Sequence, residues 1–320
     1  MMRLAGLTLC VLLAAAPAFA APDTAVHQIR MVPVEKDVSL EVLDWGGNGP
    51  PLVFLSGLGG TAHDFDGFAE KFTAKHHVYG ITRRGFGASS HPPPTDANYD
   101  ADRLGDDVLA VIAALKLERP VMVGHSIAGE ELSSVGSRHP EKVSGLIYLD
   151  AIYQYSFYDP SVADLSVESA TVKRDLARMF DLQNDPAAMR ALIAEVQGAL
   201  PNLQKALSDA TEATASMPVS AAPQTPEELA GNKVFDNTHR YGPLKVPVLA
   251  IMAEPRQCGN NCDKPFMQKI MAADAARSAA FEKQSPNARL VRIPRASHYL
   301  WHSNEAQVEQ EMNAFLDGLH

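Results

Sequence analysis

The sequence predicts an α/β protein with a mostly parallel central sheet flanked by helices, and three observations support this. Short apolar runs that do not alternate with polar residues end in glycine or polar turns, which is typical of buried parallel strands. Segments with helical periodicity separate these runs. A long helical stretch interrupts the alternation between the fourth run and the fifth. We therefore expect a single sheet with a helical insertion between its sixth and seventh strands.

The strands can be placed along the chain in order. Val26–Val34 and Val38–Leu43 predict an antiparallel pair that leads into the sheet. The predicted parallel strands are Leu52–Leu55, Val78–Ile81, Val121–Val123, Leu146–Leu149, Val246–Met252 and Leu290–Ile293. Apolar residues between Leu104 and Leu115 recur on one face of a predicted helix.

Residues 153–244 break this rhythm and predict a helical cap. The segment is rich in Ala, Ser, Met and Pro and has no convincing strand pattern. Apolar residues share a helical face within Val172–Phe180 and within Met189–Val196. The cap is either a packing layer or a lid over the carboxyl ends of the strands, where open α/β sheets bind ligands. Residues 21–152 and 245–320 then form the α/β core.

Residues 1–20 predict a secretory signal peptide. Arg3 precedes an apolar run from Leu4 to Ala16, and Ala18-Phe19-Ala20 has small residues at the two positions that signal peptidases read. The apolar run is shorter than the roughly 20 residues that a membrane span needs. We expect cleavage near Ala20 and an exported protein, periplasmic or secreted, with no membrane span.

The cysteines fit that expectation. Cys10 lies in the signal segment, which leaves Cys258 and Cys262 in the sequence Cys-Gly-Asn-Asn-Cys. In an oxidising compartment a close pair favours a disulfide that closes a small loop. A metal site would need further ligands at suitable spacing, and none lies near in the sequence, so we expect no metal.

The charge composition disfavours two classes of partner, nucleic acids and anionic lipids. Lys and Arg number 28 against 38 Asp and Glu, which gives a net charge of −10. An acidic chain without a basic run disfavours nucleic acid and anionic lipid as partners. A chain that is 46% hydrophobic and 21% charged is also not disordered. The sequence leaves the oligomeric state open.

The strongest chemical signal is the turn after the third parallel strand. Gly124-His125-Ser126-Ile127-Ala128 runs from a predicted strand into a predicted helix, with small residues two positions either side of the serine. Such a turn strains the serine and lifts its hydroxyl clear of the backbone. We expect Ser126 to be a nucleophile and the Ile127 amide to face a developing oxyanion. His125 is expected to be a packing residue.

With this motif in place, the chain resembles the α/β-hydrolase fold family. Three further segments carry the resemblance: Ser56–Gly60, Arg84–Ser89 and Ala296–Tyr299 stand where the family has its oxyanion loop, its Arg-Gly-x-Gly-x-Ser motif and its histidine loop. The resemblance implies that the Leu58 amide completes the oxyanion hole. Family branches that remove halides or open epoxides carry aspartate where Ser126 stands.

His298 is the expected general base. It lies beyond the last predicted strand and follows the serine in the chain order of this fold. The carboxylate that orients it must lie between the two in sequence. Asp150, directly after the predicted strand Leu146–Leu149, is favoured. Glu254, at the position more common in the family, is the alternative.

These residues predict a serine hydrolase that cleaves a carboxylic ester or related acyl bond through an acyl-enzyme, with no cofactor. Its partner would be a small-molecule acyl substrate. Tyr153, Tyr155 and Phe157 either line an apolar substrate pocket or form an aromatic seam between cap and sheet. Two other functions stay open: a ligand-binding protein of the same fold with slow or no turnover, and an exported acyltransferase.

Overall fold

The computed structural model describes residues 27–214 and 223–319 and is built on one eight-stranded sheet. The strands are β1 Gln28–Glu35, β2 Val38–Gly46, β3 Pro51–Leu55, β4 His77–Ile81, β5 Val121–His125, β6 Gly145–Leu149, β7 Val248–Met252 and β8 Ala288–Arg292. Their order in the sheet is β1-β2-β4-β3-β5-β6-β7-β8. β2 runs antiparallel to β1 and β4, and every other pairing is parallel. Both the antiparallel entry and the parallel strands are confirmed.

Helices alternate with the strands as the sequence predicts. They are α1 Ala101–Ala114, α2 Gly129–Arg138, α3 Leu165–Asp181, α4 Pro186–Thr214, α5 Pro226–Asp236, α6 Pro265–Gln284, α7 Leu300–Ser303 and α8 Glu305–Asp317. The Asp100 side chain caps α1 by accepting the Asp102 N–H at 3.0 Å. Thr225 and Glu228 form a reciprocal capping box at the start of α5.

The sheet has an apolar layer on each face, which explains why its central strands are continuously hydrophobic. On one face Val53, Met122 and Tyr148 pack with residues of α1, α2 and α6. On the other, Phe54 and Ile147 pack with α8 and an aromatic group, Phe65, Phe68, Phe72 and Trp301. β5 and β6 are parallel and buried along their whole length. The polar residues that directly follow them, Ser126 and Asp150, therefore lie at the same edge of the sheet.

The segment between β6 and β7 forms α3, α4 and α5 in its described part. Helices α3 and α4 contain the two stretches in which apolar residues share a helical face. In α3, however, these apolar residues are not all buried. Val172 is 8% exposed, whereas Leu176 is 46% and Phe180 75% exposed. On α4, Leu192 and Val196 are buried and Ile193 is 39% exposed. Periodicity identifies the helix, but it cannot decide which of two adjacent apolar stripes meets a neighbour.

Two predictions concern the chain ends and the cysteines. Residues 1–20, the predicted signal peptide, lie outside the described residues. Within the described residues no helix combines the length and apolar character that crossing a membrane requires. Cys258 and Cys262 form a disulfide, with Cα atoms 5.1 Å apart.

Candidate active site

The chain between β5 and α2 makes a sharp turn that holds Ser126. Its φ of 54° lies in the left-handed region that residues with a side chain rarely adopt. A β-carbon added at Gly124 would come within 3.0 Å of the Ala128 carbonyl oxygen and 2.9 Å of the Leu132 side chain. Gly124 is therefore required by the close packing of the turn, and backbone strain of this kind concentrates at functional positions.

His125 links this turn to the loop that carries His298. Its Nε2 donates a hydrogen bond to the His298 carbonyl oxygen at 3.0 Å, since a carbonyl can only accept. The two imidazole ring centres lie 4.4 Å apart. Burial lowers the pKa of His125 well below its ordinary value, and the neighbouring His298 lowers it further. His125 is thus a neutral, buried side chain that places the His298 backbone beside Ser126.

Asp150 directly follows β6, and its carboxylate faces the His298 ring. The distance from His298 Nδ1 to Asp150 Oδ2 is 2.6 Å. The Ala253 N–H donates to Oδ1 at 3.1 Å, and the Tyr153 hydroxyl donates to Oδ2 at 3.2 Å. Asp150 is 4% exposed and has a φ of 44°. A neutral His298 that donates from Nδ1 keeps its lone pair on Nε2, as a general base must.

Glu254, the alternative acid, lies elsewhere. Its Oε1 accepts a hydrogen bond from Arg292 Nε at 3.3 Å, and Arg292 also pairs with Glu282 on α6. The structure therefore brings Asp150, and not Glu254, against His298.

The loop after β3 brings Leu58 next to Ile127, and both pack into one apolar cluster. A β-carbon at Gly57 would lie 2.8 Å from His125 Nδ1 and 3.3 Å from Ser126 Cβ. Because the loop approaches the serine this closely, the backbone amides expected to form an oxyanion hole come from two segments that touch at Ser126.

Helix α5 lies against this loop. A β-carbon at Gly231 would be 3.5 Å from the Leu58 side chain, and Ala230 and Val234 belong to the same apolar cluster as Leu58 and Ile127. One helix of the segment between β6 and β7 therefore contacts the candidate site directly.

The aromatic run that follows Asp150 divides between site and core. Tyr155 packs against the apolar cluster that contains Ile127, the residue after Ser126, and the Tyr153 hydroxyl donates to Asp150. Burial raises the pKa of both phenols well above the ordinary value, so both stay protonated. Phe157 is 2% exposed and packs edge-on against Phe281 of α6 at 5.3 Å, within the apolar core. The structure thus brings Tyr153 and Tyr155, but not Phe157, to the site.

Two sets of described side chains have metal-binding donor types. In the first, His27 and His63 both lie within ion-pair distance of Asp66. The second set is formed by Asp100, Asp102 and His239. Ligand atoms of Asp100, Asp102 and His239 lie within 4.8 Å of one another. However, His239 Nε2 bonds Asp100 at 2.9 Å, the Tyr241 hydroxyl donates to Asp102 at 2.8 Å, and Arg138 Nε lies 3.0 Å from Asp102. These hydrogen bonds and ion pairs satisfy the group, so we assign no metal to it.

Sequence analysis missed Arg83 and Glu131, which lie beside the site. They are 6% and 3% exposed, and Arg83 Nε donates to Glu131 Oε1 at 2.5 Å. A signal was present: Arg83 lies two residues after β4, near the end of a predicted strand, and directly precedes the Arg84 of the family motif.

Glu130, in the first turn of α2, is a buried carboxyl group without a partner. Its exposure is 0%, and neither carboxyl oxygen has a hydrogen-bond partner among residues 27–214 and 223–319. Burial raises the pKa of Glu130 well above its ordinary value, and the adjacent Glu131 raises it further. Glu130 therefore keeps its proton in the folded protein to a higher pH than an exposed glutamate does.

We expect Glu130→Gln to remove a pH dependence of stability. Above the ordinary glutamate pKa the unfolded chain releases the proton while the folded chain keeps it, so unfolding is favoured as pH rises. From about pH 5 upward, as far as the raised pKa of Glu130, the wild type should lose as much as about 1.4 kcal/mol per pH unit from this group, relative to the variant. Urea unfolding across that range measures it, with the exposed Glu118→Gln as matched control. Parallel pH profiles for Glu130→Gln and wild type would contradict the assignment.

The sheet order and the strand–turn–helix geometry at Ser126 define an α/β hydrolase. Residues 50–304 match the family model described as alpha/beta hydrolase fold, so the chain belongs to that family. Several curated proteins that it resembles carry the names of hydrolases or lipases.

Individual relatives are distant. The chain is 31% identical over 116 residues to a fluoroacetate dehalogenase of a Burkholderia species, covering 36% of this chain and 38% of that protein. It is 28% identical over 130 residues to an sn-1-specific diacylglycerol lipase of Xenopus tropicalis, covering 40% and 38%. These matches thus span less than two fifths of each relative. The crystal structure of E-2-(acetamidomethylene)succinate hydrolase superposes with a TM-score of 0.56 and 18% identity, covering 91% of this chain and 99% of that one.

Proposed function

We propose that the protein hydrolyses a carboxylic ester, or a related acyl bond, through an acyl-enzyme on Ser126. The observation that carries the proposal is the 2.6 Å contact between His298 Nδ1 and the buried Asp150 carboxylate, because His125, the residue before the strained Ser126, is hydrogen-bonded to the His298 backbone. A nucleophile, a base and a group that orients the base are the three parts that acyl transfer requires.

The proposed reaction has two halves. Ser126 Oγ attacks the acyl carbonyl carbon while His298 takes the hydroxyl proton, and the negative charge on the carbonyl oxygen is stabilised by the Leu58 and Ile127 amides. The intermediate collapses, the bond to the alcohol breaks, and His298 returns the proton to the leaving oxygen. A water molecule, deprotonated by His298, then attacks the acyl-enzyme and releases the acid and free Ser126. Asp150 stabilises the imidazolium in both halves.

The identity of the nucleophile favours acyl transfer over dehalogenation. One relative is a fluoroacetate dehalogenase, yet this chain has Ser126 where the halide- and epoxide-cleaving branches carry aspartate. A serine ether formed by displacing halide would have no acyl carbonyl for water to attack, so the enzyme could not turn over by that route. The lipase relative acts on an ester, as the proposed reaction does.

Residues 153–244 are proposed to act as a lid. Two contacts support this: α5 packs against Leu58, and Tyr155 packs against the apolar cluster that contains Ile127, the residue after Ser126. Tyr155 is therefore placed to contact the bound acyl group.

The test is hydrolysis of p-nitrophenyl acetate, butyrate and octanoate by the purified protein. We expect release of p-nitrophenolate with saturation kinetics and a dependence of kcat/KM on acyl length. Absence of turnover with all three, together with no reaction toward a fluorophosphonate, would contradict the proposal and favour a ligand-binding role. Formation of an alkyl ester in the presence of added alcohol, at the expense of free acid, would instead identify an acyltransferase.

We also propose that the protein is exported. The pattern of residues 1–20 supports export, and so does the Cys258–Cys262 disulfide, because such bonds persist in oxidising compartments. Mass spectrometry of the protein from a periplasmic or culture-medium fraction should find Ala21 as the first residue. An intact Met1 on protein confined to the cytosol would refute export.

A further inference from the structure

Arg83 joins the loop after β3 to the helix after Ser126. Its Nη2 donates to the Ser56 carbonyl oxygen at 3.1 Å and its Nη1 to the Gly57 carbonyl oxygen at 3.4 Å. Its Nε donates to Glu131 Oε1 at 2.5 Å. One planar guanidinium therefore contacts two successive loop carbonyls and a carboxylate of α2, while it is 6% exposed.

The second of these carbonyls is part of the peptide unit that contains the Leu58 amide. The Gly57 C=O and the Leu58 N–H lie in one plane and point in opposite directions, because the peptide bond is planar and trans. A donor that fixes the direction of the carbonyl therefore also fixes the direction of the N–H. The Gly57 carbonyl accepts a further hydrogen bond from the Gly60 N–H at 3.2 Å, which closes the turn.

Without Arg83 this peptide would have more freedom. Glycine at position 57 adopts many backbone conformations, so its peptide unit can rotate at little steric cost. Gly57 cannot be replaced by a more restricted residue, since a β-carbon there would contact His125 and Ser126. The loop therefore needs glycine at position 57 to pass close to the serine turn, and glycine leaves its backbone flexible. A contact from outside the loop is needed to fix the peptide.

We propose that Arg83 is a positioning residue that aims the Leu58 amide at the oxyanion, with Glu131 holding the guanidinium in place. This inference rests on the proposed function. It predicts that Arg83 acts on the transition state and on tetrahedral adducts, but not on the binding of the unreacted substrate. Loss of an entire oxyanion-hole donor costs about 10²- to 10³-fold in kcat, so misdirecting one should cost about 10- to 100-fold.

The test compares Arg83→Lys and Glu131→Gln with Arg84→Lys. Arg84 is a matched control because it is also buried and paired, through two 2.6 Å hydrogen bonds to Asp107, but its partners are Asp107 and Glu35 and not the loop carbonyls. Each variant is assayed for kcat and KM with p-nitrophenyl butyrate. Each is also assayed for inhibition by a trifluoromethyl ketone, which forms a tetrahedral adduct, and by the matching methyl ketone, which does not.

We expect Arg83→Lys and Glu131→Gln to lower kcat and to weaken the trifluoromethyl ketone about 10- to 100-fold, with KM and the methyl ketone changed less than about threefold. Arg84→Lys should lower the thermal midpoint without this selectivity. Equal losses with both ketones, or unchanged kcat in folded Arg83→Lys or Glu131→Gln protein, would overturn the inference. If the wild type itself neither hydrolyses the ester nor binds the trifluoromethyl ketone, the proposed function fails instead.

Discussion

Ser126→Ala is expected to lower kcat for p-nitrophenyl butyrate by roughly four orders of magnitude or more, with little change in KM. Without the hydroxyl no acyl-enzyme can form, and only the weak catalysis from amide donors and substrate binding is left. The substitution removes one oxygen atom and keeps the β-carbon that packs against Gly57, so the turn should persist.

The control for this variant is Ser303→Ala. Ser303 ends α7 and accepts a hydrogen bond from the Ser297 N–H at 3.0 Å, close in sequence to His298 but away from the proposed bond-making atom. It should retain wild-type kcat within about threefold. Ser126→Ala protein that folds normally and keeps more than about one tenth of wild-type kcat would remove Ser126 from the mechanism.

Asp150→Asn is expected to lower kcat by about 10³- to 10⁴-fold. The amide keeps the shape of the carboxylate but cannot stabilise an imidazolium, and its NH₂ group can hold His298 in the wrong tautomer. Because the Ala253 N–H and the Tyr153 hydroxyl also donate to this side chain, the variant further leaves a donor facing a donor. We therefore expect a measurable loss of thermal stability beside the loss in kcat.

Glu254→Gln is the matched comparison, since Glu254 follows β7 at the position more common for the acid in this fold. Its contact is with Arg292, so the variant should keep kcat within about threefold. Steady-state kinetics of the two variants, with folding checked by circular dichroism, decide between the two carboxylates. A larger loss in Glu254→Gln than in Asp150→Asn would mean that His298 changes partner during turnover.

The sheet could be predicted from sequence because its physics is local. Runs such as Leu146–Leu149 are apolar without alternation where both faces of a strand are covered, and the runs at β5, β6 and β7 reappear as fully buried strands. The last run falls on β8, at the edge of the sheet, where no residue is fully buried. The turn at Ser126 could also be predicted from sequence. Its close packing requires small residues at positions 124 and 128, and both lie within five residues of chain. Which apolar residues of α3 are exposed could not be predicted from sequence, because exposure depends on which neighbouring element each side of the helix contacts.

From sequence the partner of His298 could be narrowed to Asp150, which was favoured, with Glu254 as the alternative. Chain order admits both, and the choice depends on where two loops converge in space. A contact such as that of Arg83 with the Gly57 carbonyl joins residues far apart in sequence and leaves no periodic signal. The neighbouring residues Arg83 and Arg84 are a further example. The family motif accounts for Arg84, whereas the contacts of Arg83 are known only from the structure.

The most direct test of the central claim is covalent trapping of the nucleophile. The protein is treated with a fluorophosphonate, which reacts with activated serines, and the modified peptide is located by mass spectrometry. We expect one adduct, on Ser126, and we expect the rate of its formation to fall sharply in His298→Ala. A labelled residue other than Ser126, or no adduct in protein that still hydrolyses p-nitrophenyl esters, would contradict it.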